Sequence, residues 1–360
     1  MPRSIWITGD DLTIEQVADV VFNYTPVKLH PSARTRMKQA QALVERMARE
    51  ERAVYGINTG FGKLSDARID RQQIEELQLN LVRSHASGVG APLTEAEVRG
   101  MMLCRANVLA KGYSGARPSI VTRLLEFLNR KIHPIIPSQG SVGASGDLAP
   151  LAHLALALIG EGEAYFNQAR MTGESALRKN RLKPLQLGPK EGISLLNGTQ
   201  GMLSLGTLAL LSAETLVDTA DVAASLSLDA LKGTPTAFDD RIQQLRSFPG
   251  QARSAANVRR LIAGSQIRLS HLDCSKVQDA YSLRCVPQVH GAVRDTLAFA
   301  RKTFEIELNA ATDNPLVFVK DEEVLSGGNF HGQPLALVLD FMAIALTERL
   351  TLNTETYRRF

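Results

Sequence analysis

The run Gly143-Ala144-Ser145-Gly146-Asp147-Leu148-Ala149-Pro150 carries residue types that suit a backbone cyclisation. Gly146 has no side chain, so its amide nitrogen can close on the carbonyl of Ala144, itself small enough to allow the approach. Loss of one water closes a five-membered ring. Loss of a second from Ser145 leaves an exocyclic methylidene conjugated with that ring, an electrophile that no encoded side chain supplies. Asp147 and Pro150 suit the cap and first turn of a helix from Leu148 to Ile159, whose positive end favours negative charge on the electrophile's oxygen. Taken alone, Ala-Ser-Gly also reads as a tight turn before a buried helix.

Other chemistries fail on spacing. Gly62-Lys63 lacks the first glycine and the closing Ser or Thr of a phosphate loop, because Ile57 and Leu64 stand there. Neither Ser141 nor Ser145 sits in a GxSxG elbow. The seven histidines show no ligand spacing, so no metal is assigned. Forty-one Lys and Arg against 37 Asp and Glu give +4, scattered along the chain, and nucleic acid is not implied. Cys104, Cys274 and Cys285 form neither CxxC nor an even set, which fits a reducing cytoplasm. The N-terminus shows no apolar export region. The uncharged stretch Leu195 to Ala213 holds Asn197, Thr199 and Gln200 and reads as a buried helix rather than a membrane span.

A chain 44% hydrophobic and only 5% aromatic favours helices over a sandwich of strands. Pro31 to Glu50 has helical spacing and breaks into the glycine loop Tyr55 to Lys63. Asp70 can cap a helix running through Arg83, ending at Ser84-His85. Thr94 and Glu97 form a capping box for a helix with Val98, Met101, Met102 and Val108 as a core stripe, stopping at Gly112. Breaks at Pro134 and Pro137 precede the signature, and the helix after it is apolar on nearly every side, hence central. Glu163 to Thr172 and Leu316 to Leu325 read as small hairpins. From Gly198 to about Leu231 no proline interrupts a helix of roughly 50 Å, a length typical of bundles. These features predict an all-α fold with a boundary near Ser194, a loop-rich region over 1–194 and a long-helix bundle over 195–360.

Residues 140–153, Gly-Ser-Val-Gly-Ala-Ser-Gly-Asp-Leu-Ala-Pro-Leu-Ala-His, resemble the signature of the aromatic amino acid ammonia-lyases. Segments 55–62, 195–200, 278–285, 309–315 and 329–334 resemble the same family in the same order. The resemblance implies a fumarase/aspartase-like helical bundle, a homotetramer whose active sites draw on three subunits, and a prosthetic 4-methylideneimidazol-5-one made from Ala144, Ser145 and Gly146. It implies no metal or soluble cofactor. The reaction implied is non-oxidative loss of ammonia from an aromatic amino acid, with the methylidene as electrophile toward the amine.

Residue roles follow the same resemblance. Tyr55 is the base for the β-proton, and needs a lowered pKa or alkaline conditions; its plainer reading is a tyrosine closing a glycine loop. Gly56, Gly60 and Gly62 would let that loop act as a lid. Asn197, elsewhere a turn residue, would hydrogen-bond the prosthetic group or the amine. Arg284, otherwise a surface charge, would fork onto the substrate carboxylate. Gln278 and Tyr281 would be polar contacts, and Phe330, otherwise a core aromatic, a wall of the site. His153 and His331 read as structural. The pair Ser84-His85 resembles the histidine-selective members, placing His85 against a substrate imidazole and implying L-histidine as substrate and trans-urocanate as product. Tyrosine or phenylalanine lyase and 2,3-aminomutase chemistry are the alternatives, and an inactive helical fragment that only self-associates is one of another class. Relatives continue beyond Phe360, so the sequence is expected to be short at its C-terminal end.

Overall fold

The computed structural model describes the chain apart from residues 1–3, 51–52, 61–68, 70, 274–276 and 358–360; for 71–72 and 348–357 it describes the backbone alone. Gly62, Asp70 and Cys274 therefore lie outside the described residues. The fold is all-α with short strands as decoration. Met1–Gly206 and Phe304–Leu335 form one compact unit, and Thr207–Thr303 with Ala336–Phe360 form a second. This differs from the division expected at Ser194. Asn197 and Gln200 are hydrogen-bonded to Asn314 and Thr312, so the chain just after Ser194 stays with the first unit and draws a later segment back to it.

Within the first unit, helix starts follow local chemistry. Thr94 Oγ1 accepts from the Glu97 amide at 3.3 Å while the Glu97 carboxylate accepts from the Thr94 amide at 2.7 Å, opening the helix Glu95–Ala110. Thr94→Ala is expected to cost about 1 kcal/mol, read as a lower urea midpoint at unchanged slope; an unmoved midpoint would show that the box contributes nothing. The helix stops at Gly112, whose φ of 90° and approach to Arg36 Cβ leave no room for a side chain.

The expected single stripe on this helix proves too narrow. Every residue from Val98 to Ala110 is buried, including Arg99, Arg105 and Asn107. Their polar groups must then find partners inside the protein. Arg99 donates to the carbonyls of Val20, Val21 and Leu128, and Asn107 donates to that of Leu308.

The apolar helix Leu148–Leu158 packs against Arg71–His85 and Glu191–Leu196. Both expected hairpins form, with Glu163 opposite Thr172 and Leu316 opposite Leu325. Val317 of the second joins a cluster with Ala40, Leu43, Val44 and Ile57. Short pairings not read from the sequence join Ile5–Ile7 to Val27–Leu29, Val89–Pro92 to Pro137–Gln139, and Ile132–Pro134 to Glu163–Phe166. Pro134 and Pro137 thus end and begin strands instead of merely breaking the chain. Both strands are at sheet edges, where a missing N–H is tolerated.

The helix Gln200–Ala230 has 31 residues, hence about 46 Å of length at the usual rise. By length and composition the helical run 191–230 is apolar enough to cross a bilayer, yet half of its most apolar window is buried within the chain, as befits a core helix. In the second unit Leu228, Phe238, Ala255, Val258, Ile262, Leu283 and Val286 form a core. Beside it Asp221 accepts from Arg294 at 2.6 Å and Asn257 at 2.9 Å and lies 2.8 Å from His290 Nδ1.

Candidate active site

Gly143 to Gly146 close a tight turn with Ala144 and Ser145 exposed at its tip. The Gly146 amide donates to the Gly143 carbonyl at 3.0 Å and the Ala144 amide to that of Val142 at 2.8 Å. Both glycines have positive φ, 71° and 78°. A Cβ on Gly146 would lie 2.6 Å from the Gly198 carbonyl oxygen, so packing beneath the turn demands the same glycine that cyclisation demands.

Asp147 precedes the helix Leu148–Leu158 but its side chain does not cap it, contrary to expectation. Its carboxylate instead accepts from Ser141 Oγ at 2.5 Å and from the Met202 amide at 2.9 Å, in the first turn of Gln200–Ala230. Its own amide donates to Gly198 at 2.7 Å. The free amides of the longer helix have captured the carboxylate, and one residue ties together the starts of two helices. Burial raises the Asp147 pKa above the usual carboxylate range, against the pull of these donors and of Arg105.

Below the turn lies a buried polar layer. Asn197, at the end of Glu191–Leu196, donates through Nδ2 to the Asn314 carbonyl at 3.0 Å. Arg105 Nη1 donates to the carbonyls of Ser194 at 3.1 Å and Asn197 at 3.0 Å. Lys190 Nζ lies 2.8 Å from Asp313 Oδ2 and 3.1 Å from Ser194 Oγ. Asp313 accepts from the Asn314 amide at 2.7 Å, and Thr199 donates to Glu307 at 2.6 Å. Burial lowers Arg105 to about 10, which leaves it charged at neutral pH, and holds Lys190 below the usual lysine range against the attraction of Asp313. Sequence reasoning missed Arg105, Lys190, Asp313 and Glu307. The signals available were a cation set among apolar residues in the helix Glu95–Ala110, for Arg105, and the family-like segment 309–315, for Asp313.

His85 ends the helix Arg71–His85, with Nδ1 2.9 Å from the Leu81 carbonyl. A carbonyl only accepts, so Nδ1 faces it as a donor, and Nε2 is the ring nitrogen left to meet a ligand. His153 accepts from the Gly88 amide at 3.1 Å, and His331 from the Gln333 amide at 3.1 Å, both structural contacts. Phe330 is half-buried, and Gly332 two residues later donates to the Gly143 carbonyl at 3.0 Å. The first unit therefore brings Gly146, Asn197 and the segment 330–332 together. Tyr55 is half-buried on the turn Tyr55–Asn58, and burial pushes its phenol above the usual tyrosine pKa. Gln278, Tyr281 and Arg284 belong to the second unit, where Tyr281 is exposed and Arg284 Nε donates to the Asp279 carbonyl at 3.0 Å.

A sequence model of aromatic amino acid lyases matches residues 12–359. The chain belongs to the aromatic amino acid lyase family. The histidine ammonia-lyase of Koribacter versatilis (strain Ellin345) is 54% identical over 357 residues, covering 96% of this chain and 69% of that relative. That of Myxococcus xanthus (strain DK1622) is 52% identical over 347 residues, 96% of this chain and 68% of the relative. Among solved structures, histidine ammonia-lyase from Trypanosoma cruzi matches with a TM-score of 0.88 at 38% identity, over 97% of this chain and 65% of that one. Tyrosine aminomutase from Streptomyces globisporus matches with a TM-score of 0.90 at 38% identity, over 97% of this chain and 69% of that one. The long helices of this aromatic amino acid lyase are thus those of the ammonia-lyase fold.

Proposed function

We propose that the chain acts as a histidine ammonia-lyase, converting L-histidine to trans-urocanate and ammonia. The observation that carries this is the Gly143–Gly146 turn seated without room for a side chain on Asn197-Gly198, in a chain 47–54% identical to histidine ammonia-lyases. The residues fit a 4-methylideneimidazol-5-one formed from Ala144, Ser145 and Gly146. In its formation the Gly146 nitrogen bonds to the Ala144 carbonyl carbon, and that oxygen leaves as water with one proton each from the Gly146 and Ser145 amides. Ser145 then loses its hydroxyl and α-proton as a second water, so no oxidant is needed. When bound, the group supplies an electrophilic carbon toward the substrate amine.

The remaining work falls to this chain's side chains. Asn197 holds the amine or the prosthetic group, with one N–H already given to Asn314. Arg284 takes the carboxylate as a charge-assisted fork. Gln278 and Tyr281 add polar contacts and Phe330 an aromatic wall. His85 presents Nε2 to a substrate imidazole. A homo-oligomer, tetrameric in the family, and a reducing cytoplasm belong to the same proposal, the free thiols of Cys104 and Cys285 fitting the latter. Intact mass together with absorbance on adding L-histidine, L-tyrosine or L-phenylalanine tests it. A chain two waters light that makes urocanate is expected; the encoded mass without turnover refutes it. Because a tyrosine aminomutase matches the fold closely, products are also to be searched for a β-amino acid.

Tyr55 removes the β-proton as phenolate. Its pKa is raised by burial above the usual tyrosine range, so the phenolate is a small minority near neutrality and grows about tenfold per pH unit in the alkaline range. kcat/KM for L-histidine is therefore expected to climb with pH through the alkaline range, and a profile flat from pH 7 would exclude Tyr55 as base. His85→Phe is expected to depress histidine turnover more than phenylalanine turnover, by about tenfold for one lost hydrogen bond; equal losses would remove His85 from substrate choice.

A further inference from the structure

Arg105 is an unusual occupant of the helix Glu95–Ala110. Its guanidinium is completely buried and, among the described residues, forms no salt bridge. Both of its hydrogen bonds run from Nη1 to the carbonyls of Ser194 and Asn197, while Nε and Nη2 have no partner. Burying donors without acceptors is costly, a cost offset in part by the attraction of the buried Asp313 and Asp147 carboxylates. Nη2 lies 2.8 Å from where a Cβ of Gly198 would stand. Gly198 in turn touches Gly146 and accepts from the Asp147 amide at 2.7 Å. A single glycine thus contacts the buried cation, the nitrogen-bearing residue of the turn and the residue after it.

We propose that Arg105 is a positioning residue for maturation of the Ala144-Ser145-Gly146 turn, acting through Asn197 and Gly198; the proposal rests on the function given above. To close the ring, the Gly146 nitrogen must leave the Gly143 carbonyl and bond to the Ala144 carbonyl carbon, with two waters leaving as already balanced. Gly198 can hold Gly146 and Asp147 in place only if it does not sink. Arg105 fixes it from below by clamping the peptide before it, and by donating to the Asn197 carbonyl it polarises the Asn197-Gly198 amide.

The test compares the wild-type chain with Arg105→Met and Arg105→Lys by intact mass, on the folded fraction isolated by size exclusion and checked by thermal melting. The wild type is expected to be two waters lighter than encoded. Folded Arg105→Met should contain at least tenfold fewer dehydrated chains, with Arg105→Lys between the two because it keeps charge but not the fork. A merely structural role would lower the melting temperature and leave the folded chains dehydrated. Folded Arg105→Met dehydrated to the wild-type extent overturns the proposal. If that variant aggregates, Gly198→Ala, which keeps the guanidinium and inserts a methyl against it, is expected to retain the encoded mass; its full dehydration overturns the proposal equally. A wild-type chain at its encoded mass overturns the parent reading and this one with it.

Discussion

Ser145→Ala is expected to give a folded protein no more than one water below its own encoded mass, with ammonia release reduced by roughly a thousandfold or more, the scale of losing a covalent catalytic group. The reason is chemical. Alanine has no β-hydroxyl to leave, so the second water cannot depart and no methylidene forms, while Gly146 and the layer beneath are untouched. Ser145 is exposed at the tip of the turn, so stability should move by no more than about 0.5 kcal/mol. Mass, melting temperature and turnover measured on one preparation check all three statements. Appreciable urocanate formation by this variant would mean that the turn is not the source of the electrophile.

Lys190→Met is expected to be among the most destabilising single changes in the first unit, by about 3–5 kcal/mol. The Lys190 and Asp313 side chains are both wholly buried with their charged atoms 2.8 Å apart, so removing the cation leaves a buried carboxylate without its hydrogen-bonded partner and with only the more distant charge of Arg105. Asp313→Asn alone should also destabilise. The double variant should cost less than the sum, with a coupling of about 0.5–3 kcal/mol. Activity should fall as well, by about a hundredfold, because Asp313 holds the Asn314 amide and Asn314 holds Asn197. Denaturant titration of the four proteins settles the matter, and strict additivity would show the pair to be energetically independent.

Local chemistry was legible, and distant partners were not. The box at Thr94 and Glu97, the stop at Gly112 and the turn at Gly143–Gly146 each depend on residues a few positions apart, so residue type and spacing carry the information. Asp147 reads as a cap for its own helix, yet its carboxylate serves Met202, 55 residues later. Arg105 falls beside a stripe of plain core residues, and its acceptors lie 89 and 92 residues away. The Lys190 to Asp313 pair spans 123 residues. One sequence shows that such groups exist but not which chain reversal brings them together. The short parallel pair Ile5–Ile7 and Val27–Leu29 escaped for the same reason, since nothing local sets a register across an intervening helix.

The first unit is completed by a segment that returns after a long excursion: Thr207–Thr303 lies between Gly206 and the residues Phe304–Leu335 that supply Glu307, Thr312, Asp313 and Asn314. On the ribosome the turn Gly143–Gly146 therefore emerges well before the residues that brace its floor. At translation rates of about 5–20 residues per second, the roughly 130 residues from Thr207 to Leu335 impose a delay of roughly 6–26 s. A nascent chain interrupted in that interval carries Ala144, Ser145 and Gly146 without the later residues that brace the layer beneath them.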